Sequence, residues 1–146
     1  MSAGAVCLGS AYRGDDAVGP KVAARLRAAG ARVLECADEP TRLLDEWADL
    51  DTVVVVDAIS TGAPLGTVHR IDVGDGPLPR DLRLASTHVL GFADALELGR
   101  ALGRAPSRVV VLGIEGARFG VGEEMSPEVA AALDALADAA LAELAR

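Results

Sequence analysis

The sequence predicts a layered α/β domain built on a mainly parallel β-sheet. Short apolar runs alternate along the chain with segments of helical periodicity, which is the pattern of such domains. One run, residues 52–57, contains four successive valines, and a strand that is apolar on both faces belongs in the centre of a parallel sheet. The chain has 146 residues, with no internal repeat and no linker, so we expect one domain over residues 1–146.

The first half of the chain predicts a βαβ unit, a second helix and a central strand. Residues 5–9 predict strand one, and residues 32–36 predict strand two. A shorter helix over 41–50 then precedes strand three at 52–57. Apolar residues at every fourth position, a proline suited to a first helical turn and a glycine suited to a helix end indicate the helix between strands one and two: Val18, Val22, Leu26, Pro20 and Gly30.

The fourth strand, predicted at residues 66–72, should run antiparallel to its neighbours. Only residues 58–65 connect it to strand three, whereas a parallel crossover needs about a dozen residues or more. Its mixture of polar and apolar residues favours a position near the edge of the sheet. The following segment, residues 74–79, is rich in glycine and proline and predicts a loop.

The second half of the chain ends with two helices around a fifth strand. Ser86 can cap a helix that runs to about residue 103, and residues 109–114 are apolar throughout, as in an interior strand. Ser126 and Pro127 then open the last helix as cap and first-turn residue.

Composition narrows the compartment and the partners. The formal net charge is -8 and no segment concentrates basic residues, so we expect no nucleic-acid partner. The apolar runs are far shorter than the roughly 18 residues of a membrane span, and no secretory signal pattern opens the chain, so we expect a cytoplasmic protein with no membrane partner. Cys7 and Cys36 lie in apolar runs and are interpreted as buried thiols rather than as a disulfide.

Two aspartates follow predicted neighbouring strands. Asp16 lies in the segment after strand one, and Asp57 ends the valine run of strand three. Functional groups of open α/β sheets gather beyond the carboxyl ends of strands, so we expect these two side chains to share one crevice. An aspartate that closes an apolar strand also needs a polar or metallic partner.

His88 is the third candidate because it lies at the start of the helix that Ser86 caps. The helix dipole there disfavours an imidazolium, which leaves a neutral imidazole free to bind a metal ion. Two carboxylates and one imidazole suit divalent nickel, zinc or iron and leave coordination positions open.

Structural roles compete with each of these interpretations. Asp15 and Asp16 are both suited to capping the first helix, and this reading is favoured for Asp15. Asp57 alone suits a turn, and His88 alone suits a satisfied helix start. His69, on the mixed fourth strand, is interpreted as structural. The case for function therefore rests on the three residues together.

Other known chemistries lack their residues in this sequence. The spacing from Gly9 to Gly14 resembles a phosphate loop, but Asp15 and Asp16 follow where lysine and serine or threonine are needed. There is no G-x-G-x-x-G after strand one, and no H-E-x-x-H, G-x-S-x-G or C-x-x-C motif.

Four ordered segments of the chain resemble the hydrogenase maturation proteases, which trim the large subunit of nickel-iron hydrogenases. The segments are RGDDAVGP at 13–20, VVDA at 55–58, STHVLG at 86–91, and VLGIE at 111–115 followed by MSPEV at 125–129. The resemblance covers nearly the whole chain. One departure is Gly9-Ser10 after strand one, where the family usually has Gly-Asn.

This resemblance implies a fold and an activity. The fold would be a phosphorylase/hydrolase-like three-layer α/β/α domain, with a mixed five-stranded sheet in the order 2-1-3-5-4 and strand four antiparallel. Asp16, Asp57 and His88 would bind metal, and Asp16 and Asp57 would be the catalytic residues of an aspartic-type endopeptidase. The enzyme would remove the C-terminal extension of a nickel-loaded large-subunit precursor, with nickel carried by that substrate and no organic cofactor.

Two other functions remain compatible with the same residues. A non-proteolytic module would bind nickel or the precursor without cutting it, and a related hydrolase would act on another client without nickel. Within the protease interpretation, nickel either positions and polarises the scissile bond, or serves only for recognition while an aspartate acts as general base.

Overall fold

An open sheet of four strands forms the centre of the computed structural model, which describes residues 2–35, 39–74 and 76–146. The strands lie in the order β1-β2-β4-β3. β1, β2 and β4 are parallel, and β3 pairs antiparallel with β4 at one edge. This arrangement confirms the central position of the valine run and the antiparallel edge strand. The strands are β1 Ala3–Cys7, β2 Thr52–Ile59, β3 Val68–Val73 and β4 Arg108–Glu115.

Helices cover both faces of the sheet. One apolar cluster joins α1 and α5 to the sheet, and the other joins α2, α3 and α4 to the opposite face. Alternate valines of β2 enter different clusters, which explains why every residue of this strand is buried. A 3₁₀ turn, Gly14–Ala17, precedes the first helix; the helices are α1 Val18–Ala28, α2 Pro40–Glu46, α3 Arg80–Ala85, α4 Thr87–Ala101 and α5 Pro127–Leu144.

The prediction of a second strand over residues 32–36, and hence of a five-stranded sheet, is wrong. Among the described residues, only one bridge, between Ala5 and Val33, joins this segment to β1. The chain reaches that bridge directly from the turn that ends α1, where Gly30 has a φ of 82° and the N–H of Ala31 still donates to Leu26. A strand needs several successive pairs with its neighbour, and one bridge does not make such a ladder. Cys36 lies outside the described residues.

Several predicted element boundaries also change. β2 continues to Ile59, so Asp57 does not end the strand as predicted. The reason is that β4 goes on pairing with β2 through Asp57–Gly113 and Ile59–Glu115, whereas β1 stops at Cys7, opposite Val56. The predicted helix over 41–50 ends early, at Glu46. Helix α3 was not predicted at all.

Ser86 behaves as predicted, whereas Cys7 is half-buried rather than fully buried. The hydroxyl of Ser86 accepts a hydrogen bond from the Val89 N–H at 3.3 Å and so caps α4. Burial raises the pKa of the Cys7 thiol to about 12, and this cysteine forms no disulfide. Within the described ranges, no helix is long and apolar enough to cross a membrane.

A charged group lies where α5 packs on the sheet. Glu143 has a side chain that is 4% exposed; one carboxylate oxygen accepts from Arg70 Nε at 2.6 Å, and the other accepts from Arg108. The Arg70 hydrogen bond, assisted by Arg108 and opposed by burial, lowers the pKa of Glu143 to about 2. A depressed carboxyl pKa adds stability above the unfolded value of 4.5, and this stability is lost as the pH falls toward 2.

We therefore expect Glu143→Gln to unfold more easily at neutral pH, by about 3 kcal/mol, because it leaves two arginines beside an uncharged amide. Urea denaturation at pH 7 and at pH 3 measures this cost. The difference from wild type should shrink at the lower pH. An equal difference at both values would show that the ion pairs do not carry the effect.

Candidate functional site

Asp16 is placed by a tight loop at the carboxyl end of β1. Gly9 begins this loop with a φ of 112°, and a Cβ atom added there would lie 2.2 Å from the carbonyl oxygen of Asp16. Only glycine fits such a close approach at a positive φ. The 3₁₀ turn then carries Asp16, whose N–H donates to the carbonyl of Arg13 at 3.0 Å.

Asp57 is fully buried on β2, just beyond the end of β1. Its Oδ1 accepts from the N–H of Ala58 at 2.9 Å, and its Oδ2 accepts from the hydroxyl of Ser86. Burial raises the pKa of Asp57 to about 7; the charge of Asp16 adds to the rise, whereas Ser86 and His88 oppose it. Asp57 therefore sits in a setting that strongly favours its neutral form.

His88 meets Asp16 in the first turn of α4. The Nε2 atom of His88 lies 3.0 Å from Oδ2 of Asp16, and the two side chains are 39% and 8% exposed. Ser86, two residues earlier, links the start of the same helix to Asp57. The three residues singled out in the sequence are thus neighbours: two are in contact, and the third lies behind a serine.

A cleft of about 280 Å³ opens at this place. Asp57 does not line it and reaches it only through Ser86. In residues 2–35, 39–74 and 76–146, no group of three or more His, Cys, Asp and Glu side chains is arranged to hold a metal ion. The lining residues are Arg13, Asp16, Ala58, Ser60, Leu84, Ala85, Ser86, His88 and Phe119.

Asp15 does not cap α1, contrary to its predicted role. Its carboxylate is buried and accepts four hydrogen bonds from the loop between β4 and α5, given by the N–H groups of Ala117, Arg118 and Ser126 and by the Ser126 hydroxyl. Ser126 and Pro127 do open α5 as the N-cap and first-turn residues, as predicted, but the Ser126 hydroxyl donates to Asp15 and therefore makes no side-chain cap. Although burial alone would raise the pKa of Asp15, these hydrogen bonds lower it below its usual value. Asp15 thereby holds the loop that carries Phe119 against the cleft.

We expect Asp15→Asn to destabilise the fold by about 2 kcal/mol. One carboxylate oxygen would be replaced by an NH₂ group, which cannot accept hydrogen bonds from the N–H groups that the carboxylate accepts in wild type. The lowered carboxyl pKa adds stability above about pH 4, and this contribution is lost in acid. Thermal melting at pH 7 tests the loss, with Asp138→Asn on the exposed side of α5 as the matched control. Equal melting temperatures for the two variants would contradict this role of Asp15.

A second buried acid supports the loop that contributes Ser60 to the cleft. Glu115 ends β4 and accepts from the N–H of Thr61 at 3.1 Å and from the Thr61 hydroxyl. Its Oε1 also lies 3.0 Å from Nε2 of His69, which gives that histidine a structural partner. These contacts fix the loop that contributes Ser60 to the cleft.

The sequence reasoning missed three of these contributions. Glu115 carries the same signal that singled out Asp57, an acid at the end of an apolar strand, and could have been found by it. Ser86 was recognised as a cap, but its bond to Asp57 depends on how α4 packs over β2. Arg13 lies beside Asp16 in the cleft, a placement that only the folded loop defines.

Fold and site together define a three-layer α/β protein with a carboxylate–imidazole cleft at the carboxyl edge of a mainly parallel sheet. Residues 18–143 match the family model described as hydrogenase maturation protease. The chain belongs to the hydrogenase maturation protease family.

Individual relatives agree with this assignment. The chain is 32% identical over 106 residues to the hydrogenase expression/formation protein HupD of Thiocapsa roseopersicina, a match that covers 65% of this chain and 47% of the relative. It spans about half the length of the curated relatives it matches, 47% and 54%.

Solved structures have the same fold. The [NiFe] hydrogenase maturation protease HybD from Thermococcus kodakarensis is 26% identical, with a TM-score of 0.81 and 99% of each chain covered. The hydrogenase maturating endopeptidase HybD from E. coli superimposes with a TM-score of 0.83 over 99% of this chain and 93% of that one; at 22% identity this match shows the fold alone.

Proposed function

We propose that this chain is an endopeptidase that removes the C-terminal extension of a nickel-loaded nickel-iron hydrogenase large-subunit precursor in the cytoplasm. The observation that carries the proposal is the contact between Asp16 and His88 in a cleft of about 280 Å³, with Asp57 buried behind it. A carboxylate and an imidazole at the mouth of a cleft suit a borderline metal ion held by another molecule. Membership of the maturation protease family supports the reaction class.

In this proposal nickel belongs to the substrate; Asp16 and His88, which line the cleft, would contact it, and Asp57 would act from behind Ser86. The donor set suits nickel chemically, but each donor already has a protein partner: Asp16 has His88, and Asp57 has Ala58 and Ser86. These bonds hold the site together before the precursor arrives. Binding the precursor's metal would exchange the Asp16–His88 bond for two bonds to the ion, which favours a transient metal contact over a resident one.

The aspartic-type chemistry is assigned to Asp16 and Asp57. Asp16 is the carboxylate that a substrate can touch, because it lines the cleft. Asp57, with a pKa raised to about 7, can exchange a proton near neutral pH, and the Ser86 hydroxyl is its route to the cleft. Nickel held by the substrate would position the scissile bond, and Asp16 and Asp57 would transfer the protons of the hydrolysis.

Mass spectrometry of a nickel-loaded precursor, incubated with the purified chain, tests this function. We expect the precursor to lose the mass of its C-terminal extension, and the nickel-free precursor to stay intact. Cleavage of both forms would favour a hydrolase whose client needs no nickel. An unchanged nickel-loaded precursor would overturn the proposal.

One observation favours a second function. Asp57 does not line the cleft, and both of its oxygens are hydrogen-bonded within the protein. Such an acid also suits a binding module that recognises the nickel-loaded precursor without cutting it. A stable complex, detected by gel filtration together with an unchanged precursor mass, would identify this module.

A further inference from the structure

The polar side chains that line the cleft divide into bonded and free groups. Five of the nine lining residues are polar or charged. Three of these five already bond to a carboxylate or an imidazole of the protein: Asp16, His88 and Ser86. The side chains of the other two, Arg13 and Ser60, have no partner among the described residues. One guanidinium group and one hydroxyl are therefore free to bind a substrate in the cleft.

The backbone on both sides of Arg13 is held in place. The carbonyl of Arg13 accepts from the N–H of Asp16 at 3.0 Å, and the carbonyl of Tyr12 accepts from the N–H of Gly122 at 2.8 Å. A Cβ atom added to Gly14 would lie 2.3 Å from a carbonyl oxygen of the loop between β4 and α5, so the two loops are in close contact. Arg13 is thus an exposed side chain on a fixed segment of backbone.

Hydrolysis of a peptide bond places negative charge on the scissile carbonyl oxygen. As an aspartate of the site takes one proton from water, the water oxygen bonds to the carbonyl carbon, and the π electron pair moves onto the carbonyl oxygen. This pair then re-forms the carbonyl, the C–N bond breaks, and the aspartate returns its proton to the leaving nitrogen. Asp16 and Asp57 account for these protons but not for the anionic oxygen, because the Asp16 carboxylate would repel it and Asp57 does not line the cleft.

We propose that Arg13 is a further catalytic residue, whose guanidinium group donates hydrogen bonds to the scissile carbonyl oxygen and stabilises the negative charge that develops there. The inference rests on the proposed function, because it assigns a role in that reaction. A charged donor on a fixed backbone stabilises such an oxygen more strongly in the transition state than in the substrate. The neutral hydroxyl of Ser60 is a weaker donor, and His88 is bonded to Asp16. The role requires one cationic donor at the oxygen and no net positive charge around the cleft.

Steady-state cleavage of the nickel-loaded precursor by Arg13→Gln tests this role. We expect kcat to fall about 10²- to 10³-fold, the loss typical of removing one donor to an anionic oxygen, while KM changes little. Arg13→Lys keeps the charge but loses the planar fork of donors, so its kcat should fall less, by about tenfold. The matched control is Arg80→Gln, at an exposed arginine that does not line the cleft, and it should cleave at the wild-type rate.

Added guanidinium ion provides a second measurement. Arg13→Ala removes the side chain and leaves room for a free guanidinium ion at the same place. Guanidinium chloride at about 20 mM, far below the molar concentrations that unfold proteins, should raise the cleavage rate of Arg13→Ala about tenfold. The same concentration of sodium chloride should not raise it. A purely structural role of Arg13 in the loop would not produce this difference between the two salts.

A wild-type kcat in Arg13→Gln would overturn the proposal and leave the carbonyl oxygen to the nickel of the substrate. A higher KM with an unchanged kcat would also overturn it, because Arg13 would then only bind the precursor. Circular dichroism should show a folded variant, since the Arg13 side chain has no partner to lose; if Arg13→Gln unfolds, a wild-type kcat in Arg13→Lys overturns the proposal. A wild-type protein that leaves the precursor intact refutes the proposed function itself, and the role of Arg13 with it.

Discussion

Asp16→Asn should slow cleavage of the nickel-loaded precursor by about 10²- to 10⁴-fold, the range typical for loss of an acid–base or metal-contacting group. The amide keeps the size of the side chain but loses the charge that lies 3.0 Å from His88 at the mouth of the cleft. It can neither bind a metal cation as a carboxylate does nor take up a proton. Timed mass spectrometry of the precursor measures the rate directly.

The control for this variant is Asp138→Asn, which makes the same chemical change on the exposed side of α5. It should cut the precursor at the wild-type rate. Melting temperatures of both variants should stay close to wild type, since Asp16 is not among the carboxylates that hold the loops together. Full-rate cleavage by Asp16→Asn would exclude an essential role for this carboxylate.

Asp57→Asn should abolish cleavage as well, and yet make the fold more stable at alkaline pH. The pKa of Asp57 is about 7 in the folded protein against 3.8 in the unfolded chain, so the folded state holds the proton more tightly. The stability that the protonated Asp57 carboxyl contributes is fully present below about pH 4, and it is lost as the pH rises through 7. Asparagine has no such charge to bury. This difference in pKa predicts that the free energy of unfolding of the variant exceeds that of wild type by about 4 kcal/mol above pH 7.

Urea denaturation of wild type and Asp57→Asn at about pH 4 and about pH 8 tests the sign of this effect. The amide also replaces an oxygen that accepts from Ala58, which adds an offset that does not vary with pH. The change in the difference between the two proteins is therefore the informative quantity. A difference that stays constant, or that favours wild type more at pH 8, would show that Asp57 is ionised in the fold at little cost.

The layered fold was predictable because it follows from local patterns. The valines of β2 are apolar on both faces and occupy the centre of the sheet, and the short connection before β3 forces the antiparallel edge. The segment at 32–36 has a similar apolar pattern, but an edge strand depends on its neighbours, and the turn at Gly30 limits it to one bridge. The local sequence pattern does not show that this turn limits the pairing with β1 to one bridge.

The proximity of the three candidate residues was more predictable than their arrangement. Strand order led us to expect Asp16 and Asp57 in one crevice, whereas the structure places Asp16 against His88, with Asp57 behind Ser86. The depth of Asp57 was not predictable, because it depends on β4 extending β2 beyond the end of β1 and on Ser86 covering the carboxylate. Asp15 was misassigned for a related reason: its four donors lie about a hundred residues away, and no local signal distinguishes it from a helix cap.

The buried Asp15 gives the two adjacent aspartates opposite consequences for inheritance. A change at position 15 loosens the loop between β4 and α5, so we expect it to behave as a temperature-sensitive allele that works in the cold and fails on warming. A change at position 16 should instead give a stable and abundant protein that binds the proposed precursor without cutting it, and so interferes with a working copy. Two neighbouring codons would thus produce a recessive, conditional phenotype and a dominant one.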